Sequence, residues 1–191
     1  MSAAAEPSDT DLAAAAAAGD DRAYSTLVTR HKNGLYRLLR RYLGNDDEAY
    51  EAVQEAFIAA WSALPRYDPA RPFGAWLRTI AINKARDRGR RIAVRRLIFG
   101  SQPFEDSAAQ SSADPAVAAD EAIVQSERLA ELDRAIARLP SALRGPLILT
   151  ALEGRSQAEA GAILGLSAKS VETRTYRARK ILAAVLGPPS S

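Results

Sequence analysis

Residues 156–180 read SQAEAGAILGLSAKSVETRTYRARK, a pattern typical of two short helices joined by a tight turn. Ser156, with Glu159 three residues later, forms a capping box that predicts the start of the first helix. Gly165 predicts its end, and Ser167 predicts the cap of the second helix. Two helices joined by a short glycine turn, the second of them basic, fit a helix-turn-helix.

The second helix of such a motif enters the major groove of DNA. Its outward side is expected to present Lys169, Ser170, Thr173, Arg174 and Arg177. Its inward side is expected to present Val171, Tyr176 and Ile181. A structural helical hairpin with a solvated face has the same spacing, so spacing alone leaves DNA binding open.

The rest of the chain is also predicted to be helical, because no run alternates as a strand does. Apolar residues at three- and four-residue steps predict helices over 24–42 and 47–64. Three prolines in 65–72 predict a loop, and another helix is expected from Phe73 into 86–91.

Composition divides the chain into two all-α domains joined by a segment that is rich in serine, alanine and acidic residues. Such a segment buries little apolar surface, so we predict a flexible acidic linker. The expected limits are 1–19 for a partly flexible N-terminal tip, 20–96 for the first domain, 97–121 for the linker, 122–185 for the second domain and 186–191 for a tail. The apolar stretch VRRLIFG, 94–100, is predicted to be a frayed helix end or a docking segment.

Charge is unevenly spread, although the formal net charge is only +3. Residues 71–96 carry nine basic residues and one acidic residue, whereas 46–55 carry five acidic residues and no basic one. Residues 105–133 carry eight acidic residues and one arginine. This separation indicates more than one charged partner surface, although a solvated helix face is the usual explanation for any single run.

The sequence contains few of the residues and motifs that enzymes use for catalysis. The chain has no cysteine, and its one histidine, His31, lies in an apolar helical pattern that favours packing at the edge of a core. No phosphate loop, nucleotide fingerprint or metal-ligand spacing is present. We therefore expect a protein that is not an enzyme and that uses no cofactor, metal or small-molecule substrate. The chain opens without a secretory segment, so we expect it to be cytoplasmic.

Longer stretches resemble one family, the extracytoplasmic-function sigma factors of bacterial RNA polymerase. Residues 139–182, LPSALRGPLILTALEGRSQAEAGAILGLSAKSVETRTYRARKIL, resemble domain four of that family. Residues 49–64, AYEAVQEAFIAAWSAL, and 73–91, FGAWLRTIAINKARDRGRR, resemble its domain two. The helix that opens domain two is matched by 24–44, YSTLVTRHKNGLYRLLRRYLG.

The resemblance implies a dissociable subunit that gives core RNA polymerase its promoter specificity. It implies docking on a coiled coil of the largest polymerase subunit through Glu51, Gln54, Glu55, Phe57, Ile58 and Trp61. It implies binding of the minus-10 promoter box, with a base extruded into the loop before the third helix, through Tyr67, Arg71, Arg78, Thr79, Asn83, Lys84, Arg86, Asp87, Arg88, Arg90 and Arg91. It implies binding of the minus-35 box through Ser167, Lys169, Ser170, Thr173, Arg174, Arg177 and Arg179.

Three positions depart from the family pattern. Tyr50 replaces an acidic residue, Gly161 replaces the usual alanine in the first helix of the DNA motif, and Glu172 replaces a basic residue in the second. Glycine costs nearly 1 kcal/mol of helix propensity relative to alanine. Glu172 would repel a phosphate if it faced one.

The family also implies an anti-sigma factor that covers both domains and is released by a stress signal. Its attachment to a membrane, the signal and the target promoters stay open. One alternative is a sigma-like decoy that binds an anti-sigma factor but no DNA, although a decoy would lose the basic clusters that this chain keeps. Another is a one-component repressor, which would need a ligand or dimerisation domain that the first half does not resemble.

Overall fold

The computed structural model describes residues 6–99 and 119–186, and within these ranges the chain is helical with no strand. The all-α prediction is therefore confirmed. Most of the predicted linker and tail, at 100–118 and 187–191, lies outside the described residues. The helices are α1 (Asp9–Ala17), α2 (Asp21–Leu43), α3 (Asp46–Ala63), α4 (Phe73–Phe99), α5 (Ala119–Arg138), α6 (Ser141–Leu147), α7 (Gln157–Leu164) and α8 (Ala168–Leu186).

Helices α1 to α4 form the first unit, called domain two below. Its core contains one stripe of α2 that includes Leu27, Leu35 and Leu39, each at most 2% exposed. Full burial of one such side chain contributes about 1.5–3 kcal/mol. Asp20 caps the start of α2, and Gly44 ends it in the left-handed region, with φ 73°.

Helix α1 lies within the predicted N-terminal tip. Ser8 and Asp11 form a capping box at its start, and its buried face packs on α2. The side chain of Asp9 lies 2.7 Å from Nε2 of His31. The single histidine therefore joins α1 to α2 at the edge of the core, as the apolar pattern around it predicted.

Helix α4 continues to Phe99, beyond the basic run in which sequence analysis placed its end. It therefore includes all but the last residue of the stretch 94–100. Val94 and Ile98 lie one turn apart and are exposed, at 53% and 67%.

Helices α5 to α8 form the second unit, called domain four below. Helix α6 passes into a π-helical turn, Ile148–Leu152. Ser156 and Glu159 form the predicted capping box of α7, and Gly165 ends α7 with φ 67°. Ser167 accepts a hydrogen bond from the backbone N–H of Ser170, which confirms its predicted capping of α8.

Among the described helices, none combines the length and apolar character needed to cross a membrane.

Candidate promoter and polymerase surfaces

The turn between α7 and α8 depends on Gly161. Its backbone carbonyl accepts a hydrogen bond from the N–H of Leu166 at 2.9 Å. A Cβ at Gly161 would lie 2.5 Å from the carbonyl oxygen of Leu166. Alanine therefore does not fit without a change in the turn, which gives this departure from the family pattern a structural reason.

Helix α8 buries Val171, Thr175, Ala178 and Leu182 against domain four. Its opposite side presents Lys169, Thr173, Tyr176, Arg177 and Lys180, all of them exposed. Tyr176 is 69% exposed and Ile181 40%, so the expected inward packing of these two residues is wrong, whereas that of Val171 is confirmed. The outer side of α8 therefore combines cationic groups with one exposed aromatic ring.

The other candidate minus-35 residues surround this outer side. Ser167 and Ser170 bond to each other at the start of α8, and Arg179 is exposed. Arg174 is partly buried at the edge of the inward face. A cleft of about 500 Å³ separates the outer side of α8 from the start of α7, where Gln157 lines it together with Tyr176.

Glu172 lies close to Lys169 and partly neutralises it. The Nζ of Lys169 donates to the carboxylate of Glu172 at 2.8 Å, on the exposed first turns of α8. This departure from the family pattern therefore lowers the positive charge of the candidate DNA-binding face. Arg177 and Lys180 have no ion pair among the described residues and are the cations of that face that remain unpaired.

Part of the candidate minus-10 set shares one face of α4. Residues at three- and four-residue steps along a helix lie on the same side. This face carries Thr79, Asn83, Arg86, Asp87 and Arg90. Lys84, Arg88 and Arg91 lie on other sides of the helix, and Arg78 faces domain four.

The loop before α4 is braced by its own side chains. The hydroxyl of Tyr67 donates to the carbonyl of Arg71 at 2.6 Å, and Asp68 accepts from the N–H of Ala70 at 2.9 Å. The ring of Tyr67 lies 5.0 Å from that of Trp76, centroid to centroid. The loop that the resemblance assigns to an extruded base is thus stabilised by its own hydrogen bonds and by the packing of Tyr67 on Trp76.

Arg88 connects the candidate minus-10 residues of α4 with the candidate polymerase face of α3, which sequence analysis placed on separate surfaces. Its guanidinium donates to the carboxylates of Glu48, Glu51 and Glu55 on α3, the last at 2.7 Å. Burial alone would lower the pKa of Arg88, but its bonds to Glu48 and Glu51 outweigh burial and raise it. Arg88 is only 13% exposed, so it acts as a clamp between α3 and α4 and contributes little to a free cationic groove.

The outer face of α3 keeps several of the candidate polymerase contacts accessible. Gln54 is exposed, Ile58 is 68% exposed and Trp61 is 39% exposed, all on one side of the helix. Phe57 is the exception: it lies in the core at 8% exposure, because the stripe of α3 that packs on α2 includes it. In this conformation Phe57 packs in the core behind the outer face of α3 and is not available to a partner.

Two all-helical units, one with a helix-turn-helix and the other with a cationic helix face beside a braced loop, are typical of a DNA-binding transcription protein. Family models agree: Sigma-70 region 2 matches residues 27–95, and Sigma-70, region 4 matches residues 129–182. The chain belongs to the extracytoplasmic-function family of sigma factors of bacterial RNA polymerase.

Individual relatives match over nearly the whole chain. The RNA polymerase sigma factor CnrH of Cupriavidus metallidurans is 39% identical over 186 residues, which cover 97% of this chain and 97% of that protein. The ECF RNA polymerase sigma-E factor of Escherichia coli is 32% identical over 170 residues, which cover 86% of each. The structure of CnrH in complex with the cytosolic domain of CnrY is similar with a TM-score of 0.68 and 36% identity, covering 95% of this chain and 99% of that one.

Proposed function

We propose that this chain binds core RNA polymerase through α3, reads the minus-10 box with α4 and its preceding loop, and reads the minus-35 box with α8. The observation that carries the proposal is the presence of two separate cationic helix faces in one chain. One is the outer side of α8, with Arg177 exposed, and the other is the face of α4 around Asn83 and Arg86. Phosphates attract both faces, and base edges are read by the side chains that reach into the groove.

Tyr176 joins the proposed minus-35 surface, although sequence analysis placed it inward. Its ring is exposed between Thr173 and Lys180 on the side of α8 that a major groove would receive. An apolar ring at this position can contact a thymine methyl group, which hydrogen-bonding side chains do not recognise. Tyr176→Ala should therefore change the preferred sequence of the upstream box as well as its affinity.

The polymerase contact is proposed for the exposed part of α3. Gln54, Ile58 and Trp61 give this face an apolar strip with one amide. Glu51 beside them accepts from Arg88 but keeps a side chain that is 61% exposed. Such a face suits a basic helical partner, in agreement with the coiled coil of the largest polymerase subunit that the family implies.

An anti-sigma factor is the second proposed partner. The similar structure of CnrH contains the cytosolic domain of CnrY, and the structure of RpoE from Bartonella quintana contains the anti-sigma factor NepR. The exposed strip of α3 and the apolar pair of α4 at Val94 and Ile98 are the proposed contacts. Since core polymerase and chromosomal DNA are cytoplasmic in bacteria, we place the activity there.

The test is run-off transcription on genomic fragments with core polymerase, in the presence and absence of the purified chain. A promoter-specific product that needs the chain is expected. Its absence on every fragment, with an anti-sigma factor still bound, would support the decoy alternative. Arg177→Ala should weaken binding to the upstream box by about 1–3 kcal/mol if it reads a base, and by a smaller, sequence-independent amount if it holds a phosphate.

Core binding is tested separately. Gln54→Ala with Ile58→Ala should reduce the affinity for core polymerase, whereas the matched pair Ser25→Ala with Thr29→Ala, exposed on α2, should leave it unchanged. Neither pair should alter the affinity of domain four for DNA. Equal core affinities for the two double variants would place the docking face elsewhere.

A further inference from the structure

A small cavity lies between α2 and the end of the π-helical turn of domain four, and its volume is about 230 Å³. Its charged lining consists of four arginines and one glutamate, namely Arg37, Arg41, Arg78, Arg155 and Glu153. Apolar side chains from α2 and from the π-helical turn contribute to the rest of the lining. Arginine is not deprotonated in proteins, so the cavity is strongly cationic.

Arg78 and Glu153 form a fixed wall of this cavity. The Nε of Arg78 donates to the carboxylate of Glu153 at 2.8 Å, and its Nη1 donates to the carbonyl of Gly74 at 3.0 Å. Each side chain of the pair is only 16% exposed. Arg155 reaches the same carboxylate from Nε at 3.3 Å and that of Glu159 from Nη1 at 3.9 Å. Glu153 is therefore shared between two arginines, and only its contact with Arg78 is short.

The two arginines that α2 contributes to the lining are less completely neutralised. Arg37 and Arg41 lie one turn apart on the same side of the helix, where like charges repel. The Nε of Arg41 lies 3.3 Å from the carboxylate of Asp133, which accepts from Arg40 at the shorter distance of 2.6 Å. Arg37 is exposed and has no ion pair within residues 6–99 and 119–186. The arginines around the cavity therefore carry more positive charge than the neighbouring carboxylates neutralise.

A phosphate group has the charge and the acceptors that this lining lacks. Its oxygens match the planar guanidinium group, which binds phosphate through two parallel hydrogen bonds. We propose that the cavity is a binding site for a small anion with one or two phosphate groups, held by Arg37, Arg41 and Arg155. Such an anion gives Arg37 a partner and exchanges contacts of 3.3 and 3.9 Å for shorter charge-assisted bonds. Glu153 opposes an anion, but Arg78 and Arg155 share its charge.

The dimensions of the cavity favour a small ligand. Sites for drug-sized ligands occupy about 300–1,000 Å³, whereas this cavity of about 230 Å³ has room for phosphate or diphosphate. A nucleic-acid strand offers the same phosphate chemistry, but the strand continues on both sides of each phosphate and needs an open groove. Residues of both helical units border the cavity, so we assign the site to a small free anion. This assignment does not rest on the proposed sigma function.

The first experiment measures binding of sodium diphosphate to the full-length chain by calorimetric titration and by the rise in Tm, at an ionic strength held constant with sodium chloride. One diphosphate per chain is expected, with a Tm that rises with diphosphate concentration. Arg37→Gln with Arg155→Gln should weaken the affinity about tenfold or more, and Arg37→Gln alone, which breaks no internal ion pair, about threefold. The matched pair Arg22→Gln with Lys32→Gln removes the same charge from exposed residues of α2 that have no ion pair among the described residues, and should leave the affinity unchanged.

The second experiment separates a small anion from a DNA phosphate. The chain is titrated into a labelled single-stranded 12-mer of randomised sequence, with and without saturating diphosphate, at constant ionic strength. Neither diphosphate nor Arg37→Gln should change the affinity for the 12-mer. Release of the 12-mer by diphosphate, together with weaker binding of both ligands in Arg37→Gln, would assign these arginines to DNA and overturn the proposal. An equal response to diphosphate and to chloride, or an equal loss of affinity in the control pair, would overturn it as well.

Discussion

Gly161→Ala is expected to destabilise domain four, although alanine is the better helix former. The gain in helix propensity is about 1 kcal/mol. Against it stands a Cβ at 2.5 Å from the carbonyl oxygen of Leu166, closer than the 3.0 Å that real Cβ atoms keep. Relieving this overlap costs about 1–3 kcal/mol. Loss of the bond between the N–H of Leu166 and the carbonyl of Gly161 costs a further amount of about 0.5–1.5 kcal/mol.

The net expectation is a loss of about 0.5–3.5 kcal/mol, measured as the shift of the urea midpoint followed by far-ultraviolet circular dichroism. Gly89→Ala is the matched control, since Gly89 also lies within a helix but a Cβ at that position would have no atom of the described residues within 4 Å. It should gain about 0.5–1 kcal/mol. Amide exchange at Leu166 should accelerate in the first variant only. An upward shift of the midpoint for both variants would refute the steric argument.

Three further expectations concern stability. Ser156→Ala should lower the free energy of unfolding by about 1 kcal/mol at neutral pH. The hydrogen bonds from Ser156 lower the pKa of Glu159, so the difference between variant and wild type should shrink as pH falls through the pKa of Glu159 in the folded state. Urea titrations at several pH values measure it. Burial raises the pKa of Tyr24 to about 12, so the wild type should lose stability as pH rises from the ordinary tyrosine pKa of 10 toward 12. Tyr24→Phe should reduce that loss in melting curves between those pH values, and the remainder belongs to Tyr36 and Tyr67, whose pKa values burial also raises. Arg88→Gln should destabilise domain two by about 1–3 kcal/mol, followed by tryptophan fluorescence, because three carboxylates lose their shared cation; Arg90→Gln, at an arginine whose side chain is 77% exposed, should change little.

Local chemistry made the start and end of several helices predictable. Ser156, Gly165 and Ser167 act within one turn of themselves, so their roles follow from neighbours in the chain. Helix α1 was not predicted, because a run of alanines carries little periodicity. Its position depends on Asp9 meeting His31, 22 residues away.

The orientation of side chains was less predictable where small residues fill the core. In α8 the buried positions Val171, Thr175, Ala178 and Leu182 follow the period of the helix, so Tyr176, five residues after Val171, points away from them. In α3 Phe57 lies on the same buried stripe as Ala56 and Ala60. Apolar character predicts burial on average, but the phase of the helix decides which apolar side chain faces the core.

Charge runs were the hardest pattern to interpret, because part of each run forms ion pairs with other residues of the same chain. The acidic run 46–55 and the basic run 71–96 each suggested an external partner, yet Arg88 joins them through three carboxylates. Asp133, from the acidic run 105–133, likewise binds two arginines of α2 that lie 92 and 93 residues earlier. A charged group that is paired inside the fold can bind a partner only if its internal ion pair breaks, and the free energy of that pair is then lost. The side chains on which a partner can act directly are therefore the unpaired remainder, and Arg78, which is paired with Glu153, is not among them.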